Sequence, residues 1–306
     1  MENVQRVTLH ILQKLNEKGV EDLARACMQL IPSKSGASCF IDEDNRYWRC
    51  FLCIEGAHTR DIVESESHAF AAGKAFAQFQ KLLVDLPDGK LHETIPDFHN
   101  TQKRFNALMA AINADVNDRA RQCKDEIDFA LRRKEYASVL INLLHSGELP
   151  ERITHNDSKL NNVMLDDQTE EALCVIDLDT VMPGTVLYDF GDMVRTSTCS
   201  AAEDETDLSK INLNVSWFEA LAQGYLSEAL EFLTDIEREY LVFSGKLITF
   251  EQGIRFLTDY LEGDTYYKTQ NGTHNLDRCR NQFKLVESIE EKEKELERIV
   301  KNILTE

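Results

Sequence analysis

Apolar positions change their spacing near residue 57. Before it they fall in short runs. Residues 7–15 alternate and read as a strand, with Leu12 and Lys14 on one face and Ile11 and Gln13 on the other. Residues 17–30 fit an amphipathic helix, while 37–41 and 46–54 read as strands joined by the polar turn 42–45, a hairpin. Glu-Gly-Ala at 55–57 breaks the pattern, and a helical period follows, predicting helices over 66–83, 101–113, 117–133 and 137–144. Short apolar strands are expected at 163–165 and 173–176 around a polar turn, and Met-Pro-Gly at 182–184 reads as a turn. Further helices are expected over 215–226, 235–255 and 282–304. The last alternates acidic and basic residues around Leu285, Ile289, Leu296, Ile299, Val300 and Ile303, as a packed, solvated closing helix does. The pattern predicts an α+β, bilobal chain: a small strand-rich lobe over 1–56 and a helical lobe over 57–306.

Candidate chemistry concentrates at 155–162, His-Asn-Asp-Ser-Lys-Leu-Asn-Asn, and at Asp177, which ends the second apolar strand. Phosphoryl transfer needs a carboxylate that orients the attacking hydroxyl and accepts its proton, and hard oxygen ligands that hold Mg²⁺ against nucleotide phosphates. Asp157 is the candidate for the first role, and Asn162 and Asp177 for the second. One such residue alone is more simply a turn or capping group. Four matches, His155 included, at fixed offsets in a strand-turn-strand context point to kinase-like chemistry.

The chain has 306 residues, enough for two lobes around a cleft, and a formal net charge of −20. With a pI near 4.8, its average surface repels nucleic acid and anionic membranes, so neither is an expected partner. No apolar run approaches the roughly 20 residues of a membrane span, and the opening residues are polar. A cytoplasmic protein, monomeric or weakly oligomeric, is expected. The eight cysteines are too sparse for a disulfide framework, and Cys50 and Cys53 lie within a strand-like run without a second pair, which gives zinc or redox use little weight. Asn-Gly-Thr at 271–273 is more simply a turn than a glycosylation site.

Residues 94–100 (Thr-Ile-Pro-Asp-Phe-His-Asn), the loop 155–162, 175–184 (Val-Ile-Asp-Leu-Asp-Thr-Val-Met-Pro-Gly), 188–192 (Tyr-Asp-Phe-Gly-Asp) and 255–268 (Arg-Phe-Leu-Thr-Asp-Tyr-Leu-Glu-Gly-Asp-Thr-Tyr-Tyr-Lys) resemble the N-acetylhexosamine 1-kinases, within the aminoglycoside phosphotransferase branch of the kinase-like fold. The resemblance implies ATP and Mg²⁺ as cofactors and transfer of the γ-phosphoryl to the anomeric hydroxyl of N-acetylglucosamine or N-acetylgalactosamine. It implies Asp157 as base, Asn162 and Asp177 as metal ligands, and Arg255 and Tyr266 as sugar contacts. Arg offers several donors to ring and acetamido oxygens, and Tyr a hydroxyl and an apolar face. Asp189 and Asp192 are expected to brace the catalytic loop.

Kinase-like folds cover the phosphates with a Gly-turn hairpin ahead of a lysine-bearing strand. Lys14 is the candidate phosphate-pairing lysine, with Gln13 the alternative if the register slips by one, and no glycine precedes it. The cover is therefore expected to be missing, through a shortened chain or natural variation. Glu21 or Asp22 could pair with Lys14, and backbone groups at Phe51, Ile54 and Gly56 could hold adenine. Two other outcomes stay open: a kinase of an aminoglycoside, choline, homoserine or another alcohol, and a sugar-binding protein of weak activity.

Overall fold

The fold was obtained as a computed structural model that describes residues 1–87 and 91–305. The chain opens with helix α1 (Glu2–Glu17) and the single turn α2 (Leu23–Ala26), followed by strands β1 (Leu30–Ile31), β2 (Phe40–Ile41), β3 (Tyr47–Trp48), β4 (Cys50–Phe51) and β5 (Ala57–His58). Helices α3 (Glu66–Leu83), α4 (Thr101–Ala114), α5 (Lys124–Arg132) and α6 (Tyr136–Ser146) lead to a group of strands, β6 (Arg152–Thr154), β7 (Val163–Asp166), β8 (Ala172–Val175) and β9 (Met182–Gly184). Helices α7 (Val186–Ser197), α8 (Val215–Ala229), α9 (Asp235–Glu239), α10 (Leu241–Glu262) and α11 (His274–Ile303) complete it.

Residues 7–15 are helical, which corrects the strand expected there. Val4, Val7 and Ile11 are buried at spacings of three and four, with Leu15 half-buried in the same row, and this stripe outweighs the local alternation. Lys14 consequently rides on a helix and pairs with Asp85. Gly19, at φ +74°, ends α1, so the helix expected over 17–30 shrinks to α2. The hairpin expected after residue 37 does form, with Phe40 opposite Trp48 and Ile41 opposite Tyr47. β4 instead pairs with β1, and β5, directly after Gly56, joins β7 and β8, the strands that follow the catalytic loop.

Met182–Gly184, expected as a turn, is a strand paired with β6. It fixes both ends of the segment that carries Asp157 and Asp177. The helix expected over 117–133 narrows to α5, that over 235–255 splits at Tyr240, and the terminal helix starts eight residues earlier than expected, at His274. One core runs from α1 through α3, α7 and α8; a second gathers α4, α5, α10 and α11. Gly73 on α3 and Gly224 on α8 let those two helices touch through their backbones: a Cβ on Gly224 would lie 2.2 Å from the Phe70 carbonyl oxygen.

Candidate active site

β7 and β8 form the expected strand pair, with Val163 opposite Val175. The Ile176 amide donates to the Asn162 carbonyl at 2.9 Å, so Asp177 emerges beside Asn162. Asp177 adopts φ +57°, which Asp tolerates better than most residues, and its side of the chain is exposed. From Asn162, Nδ2 donates to the Asp157 carbonyl at 2.8 Å and to its Oδ2 at 3.2 Å. Asp157, Asn162 and Asp177 are thus brought together. With the amide nitrogen of Asn162 committed, its Oδ1 is the atom left for a cation, and Asp177 adds an exposed carboxylate. Two hard oxygens suit Mg²⁺, which rarely has an all-protein cage and completes its shell with phosphate and water oxygens.

The catalytic loop is held from below. Asp189, fully buried on α7, accepts the His155 amide at 2.9 Å, the Asn156 amide at 2.6 Å and Gln80 of α3 at 2.7 Å. His155 packs edge-on to Phe76 and Phe79; its Nδ1 accepts the Asp157 amide at 3.3 Å and its Nε2 donates to the Ile176 carbonyl at 2.9 Å. One imidazole in its Nε2–H form therefore ties the loop to the strand end that delivers Asp177. Asp189 braces the loop as its sequence context suggested. Asp192 does not: it pairs with Arg195 at 2.8 Å.

A second support comes from α10. His99 is buried, its Nδ1 2.8 Å from Glu251 and its Nε2 2.9 Å from the Asn156 carbonyl, while Thr101 also donates to Glu251 at 2.5 Å. Burial disfavours charge on His99, but the Glu251 carboxylate more than offsets it and raises the imidazole above its ordinary value. Burial likewise works against the Glu251 charge, and His99 outweighs it to lower that carboxyl.

Above the loop opens a cavity of about 480 Å³ that brings Asp157, Arg255 and Tyr266 to one wall system, with Lys159, Phe98, Gln252, Arg195, Glu203 and Arg278 also lining it. Lys159 Nζ lies 3.0 Å from Asp157 Oδ2, whose side chain is 29% exposed and so reachable from the cavity. Arg255 stacks over Phe98 at 5.2 Å and bonds Gln252 at 3.1 Å, leaving further donors of its fork toward the opening. Tyr266 is delivered by a loop whose amides at 265, 266 and 267 all bond the Asp259 carboxylate, at 2.8, 2.7 and 3.0 Å.

The nucleotide-side residues are less gathered. Lys14 lies outside the cavity that holds Asp157, and Gln13 bonds Glu17 on the same helix. Neither Glu21 nor Asp22 is the partner of Lys14, a role Asp85 takes. Phe51 sits in β4 under the guanidinium of Arg49, 5.3 Å from the ring. The Gly56 carbonyl already accepts Arg25 at 2.7 Å and the Asp167 amide at 3.0 Å. Ile54 lies just before that turn, half-buried. Arg49, which sequence reasoning passed over, pairs with Asp179 and lies in the field of Asp177. His99, Glu251 and Lys159 were also not assigned roles. Only the position of Lys159 two residues after Asp157 could have singled it out.

An α+β chain of short strands and long helices, whose catalytic loop lines a cavity in the helical part, has a protein-kinase-like fold. A model of the phosphotransferase enzyme family matches residues 8–237, and the chain belongs to that family. Among solved structures, the chain is similar to an aminoglycoside phosphotransferase from Alicyclobacillus acidocaldarius, with 13% identity and a TM-score of 0.63 over 98% of this chain and 84% of that one. It is also similar to a microcompartment-associated aminopropanol kinase (15%, TM-score 0.53, 97% and 83% covered) and to a choline/ethanolamine kinase family protein from Mesorhizobium loti (12%, 0.52, 99% and 82%). At these identities the likeness is one of fold. Among the described residues, no helix is long and apolar enough to cross a membrane.

Proposed function

We propose that this phosphotransferase moves the γ-phosphoryl of ATP to the anomeric hydroxyl of an N-acetylhexosamine, N-acetylglucosamine or N-acetylgalactosamine, giving the sugar 1-phosphate. The observation that carries the reading is that Asp157, Arg255 and Tyr266, far apart in sequence, line one cavity. Asp157 orients the acceptor hydroxyl and takes its proton. Lys159, 3.0 Å from Asp157 Oδ2, is placed to stabilise the carboxylate and the charge that develops on transferred phosphoryl oxygens. Asn162 Oδ1 and Asp177 would hold Mg²⁺, which when bound neutralises the phosphates. Arg255 and Tyr266 bind sugar oxygens and one face of the pyranose.

The nucleotide would enter between the lobes, whose boundary we set at Gly56, with backbone groups near Phe51 and Ile54 toward the base. Lys14, turned to Asp85 on the outside of α1, is not assigned to the phosphates. The aminoglycoside, choline and other alcohol kinases share the fold, but a cavity lined by Lys159, Arg195, Arg255 and Arg278 against Asp61, Asp157 and Glu203 is a poor match for a polycationic acceptor.

Turnover with MgATP over a panel of acceptors, read as ADP release, tests this. N-acetylhexosamines should be consumed and their 1-O-methyl glycosides should not; faster turnover of kanamycin or choline than of any sugar would reject the assignment. Asp157→Asn should retain the fold and lower kcat by roughly 10²–10⁴-fold, the span expected on removing a general base.

A further inference from the structure

Buried polar atoms without a partner are costly and so are rare unless something else satisfies them. Among the described residues nine such side-chain atoms occur, and four of them belong to residues lining the cavity above Asp157: Asn161 Oδ1, Thr180 Oγ1, Arg278 Nε and Gln282 Oε1. The first lies in the catalytic loop itself, and the second three residues beyond Asp177. The other two stand four residues apart on α11, hence on one face of that helix.

Gln282 is 3% exposed. Its Nε2 donates to Asn281 Oδ1 at 3.1 Å, and Asn281 is in turn held by the Ala202 carbonyl at 2.9 Å, so the open atom of the Gln282 amide is its oxygen, an acceptor. Arg278 rests its guanidinium on the Phe256 ring at 4.9 Å and meets Glu203 only at 3.6 Å, which leaves Nε–H as an open donor. One acceptor and one donor thus stand about one helical turn apart in the lining that also holds Arg255. An ammonium would satisfy Gln282 but would face the charges of Arg278, Arg255 and Arg195. A carboxylate would satisfy Arg278 and bring an anion against the Gln282 oxygen. A neutral secondary amide satisfies both, its N–H toward Gln282 and its C=O toward Arg278.

Resting on the acceptor cavity assigned above, we propose that Arg278 and Gln282 form the specificity subsite that reads a neutral amide substituent on the acceptor. Binding, measured by calorimetry on the full chain without nucleotide, tests this separately from catalysis. The probes are N-acetylglucosamine, glucosamine and glucose. The unmodified protein should bind the N-acetyl sugar at least about tenfold tighter than the amine. Gln282→Leu and Arg278→Lys should each weaken it by about tenfold, the equivalent of one lost hydrogen bond to a buried partner, and leave glucose within twofold. Glucose serves as the control for an intact cavity. Equal affinity for amine and amide in the unmodified protein, no binding of any of the three, or uniform weakening of all three in both variants would overturn the subsite. Selective amide binding without phosphoryl transfer would instead refute the kinase assignment and leave the subsite standing.

Discussion

His99 presents both ring nitrogens to acceptors, the Glu251 carboxylate and the Asn156 carbonyl, a pattern that a neutral imidazole cannot satisfy. It is therefore held as a cation, and it connects α10 to the residue preceding Asp157. The pH consequence has a definite sign. The imidazole is raised in the folded state, so its contribution is complete below the unfolded histidine value near about 6.5 and is lost as pH rises through the higher folded value. Glu251 is lowered, so its contribution is complete above about 4.3 and is lost as pH falls. The stability gap between the unmodified protein and His99→Gln should be widest between those limits, about 3 kcal/mol or more because one member of a buried ion pair is left alone. Urea unfolding at pH 5.5 and pH 9 should show that gap narrowing at the higher pH; an equal gap at both would mean that His99 is neutral. None of this was visible in the sequence, where His99 is one residue of a matched segment and Glu251 lies 152 positions away.

At the scale of elements, legibility followed how local the cause was. The β7–β8 pair and its terminal Asp177 were readable because a short apolar run, a polar turn and a second run specify a hairpin with no outside help. Helix α3 was readable to the residue, its Ser65 cap accepting the His68 amide and its small-residue stripe marking the buried face. Helix α1 was misread because alternation and a 3.6-residue period coincide over nine positions, and what separates them, burial of Val4 and Val7 against α3, is tertiary. α7 was passed over because its apolar and acidic residues are nearly all buried, leaving no polar face to show a period. The close contact of α3 with α8 carries a consequence for the site, since α3 supplies Phe76, Phe79 and Gln80 beneath the catalytic loop. Gly224→Ala would drive a methyl into the Phe70 carbonyl and should cost about 1–3 kcal/mol. A urea midpoint lowered with an unchanged slope would confirm it, whereas an unshifted midpoint would show that the helices separate freely.

At the scale of the molecule, the proposed site draws unevenly on the chain. The cavity with Asp157, Arg255 and Tyr266 is lined by residues from 61 onward and its catalytic loop is braced by two buried networks, whereas residues 1–56 hold α1, α2 and four two-residue strands and leave Phe40, Tyr47 and Trp48 more than half exposed. The change of period near residue 57 was legible in the sequence, but Arg49 and Arg278 were not, because they acquire meaning only from what folding sets beside them. In the proposed reaction, the net charge of −20 acts differently on the two substrates. MgATP is anionic and approaches against the field of the whole chain; a neutral sugar does not feel it. Raising ionic strength from about 0.01 M to about 0.15 M shortens the screening length from roughly 30 Å to roughly 8 Å. The KM for MgATP should therefore fall over that range at fixed free Mg²⁺, while the KM for N-acetylglucosamine stays constant. A KM for MgATP that rises instead would place the nucleotide in a locally positive site, where salt weakens attraction, and Arg49, which pairs with Asp179 in the field of Asp177, would be the first residue to replace.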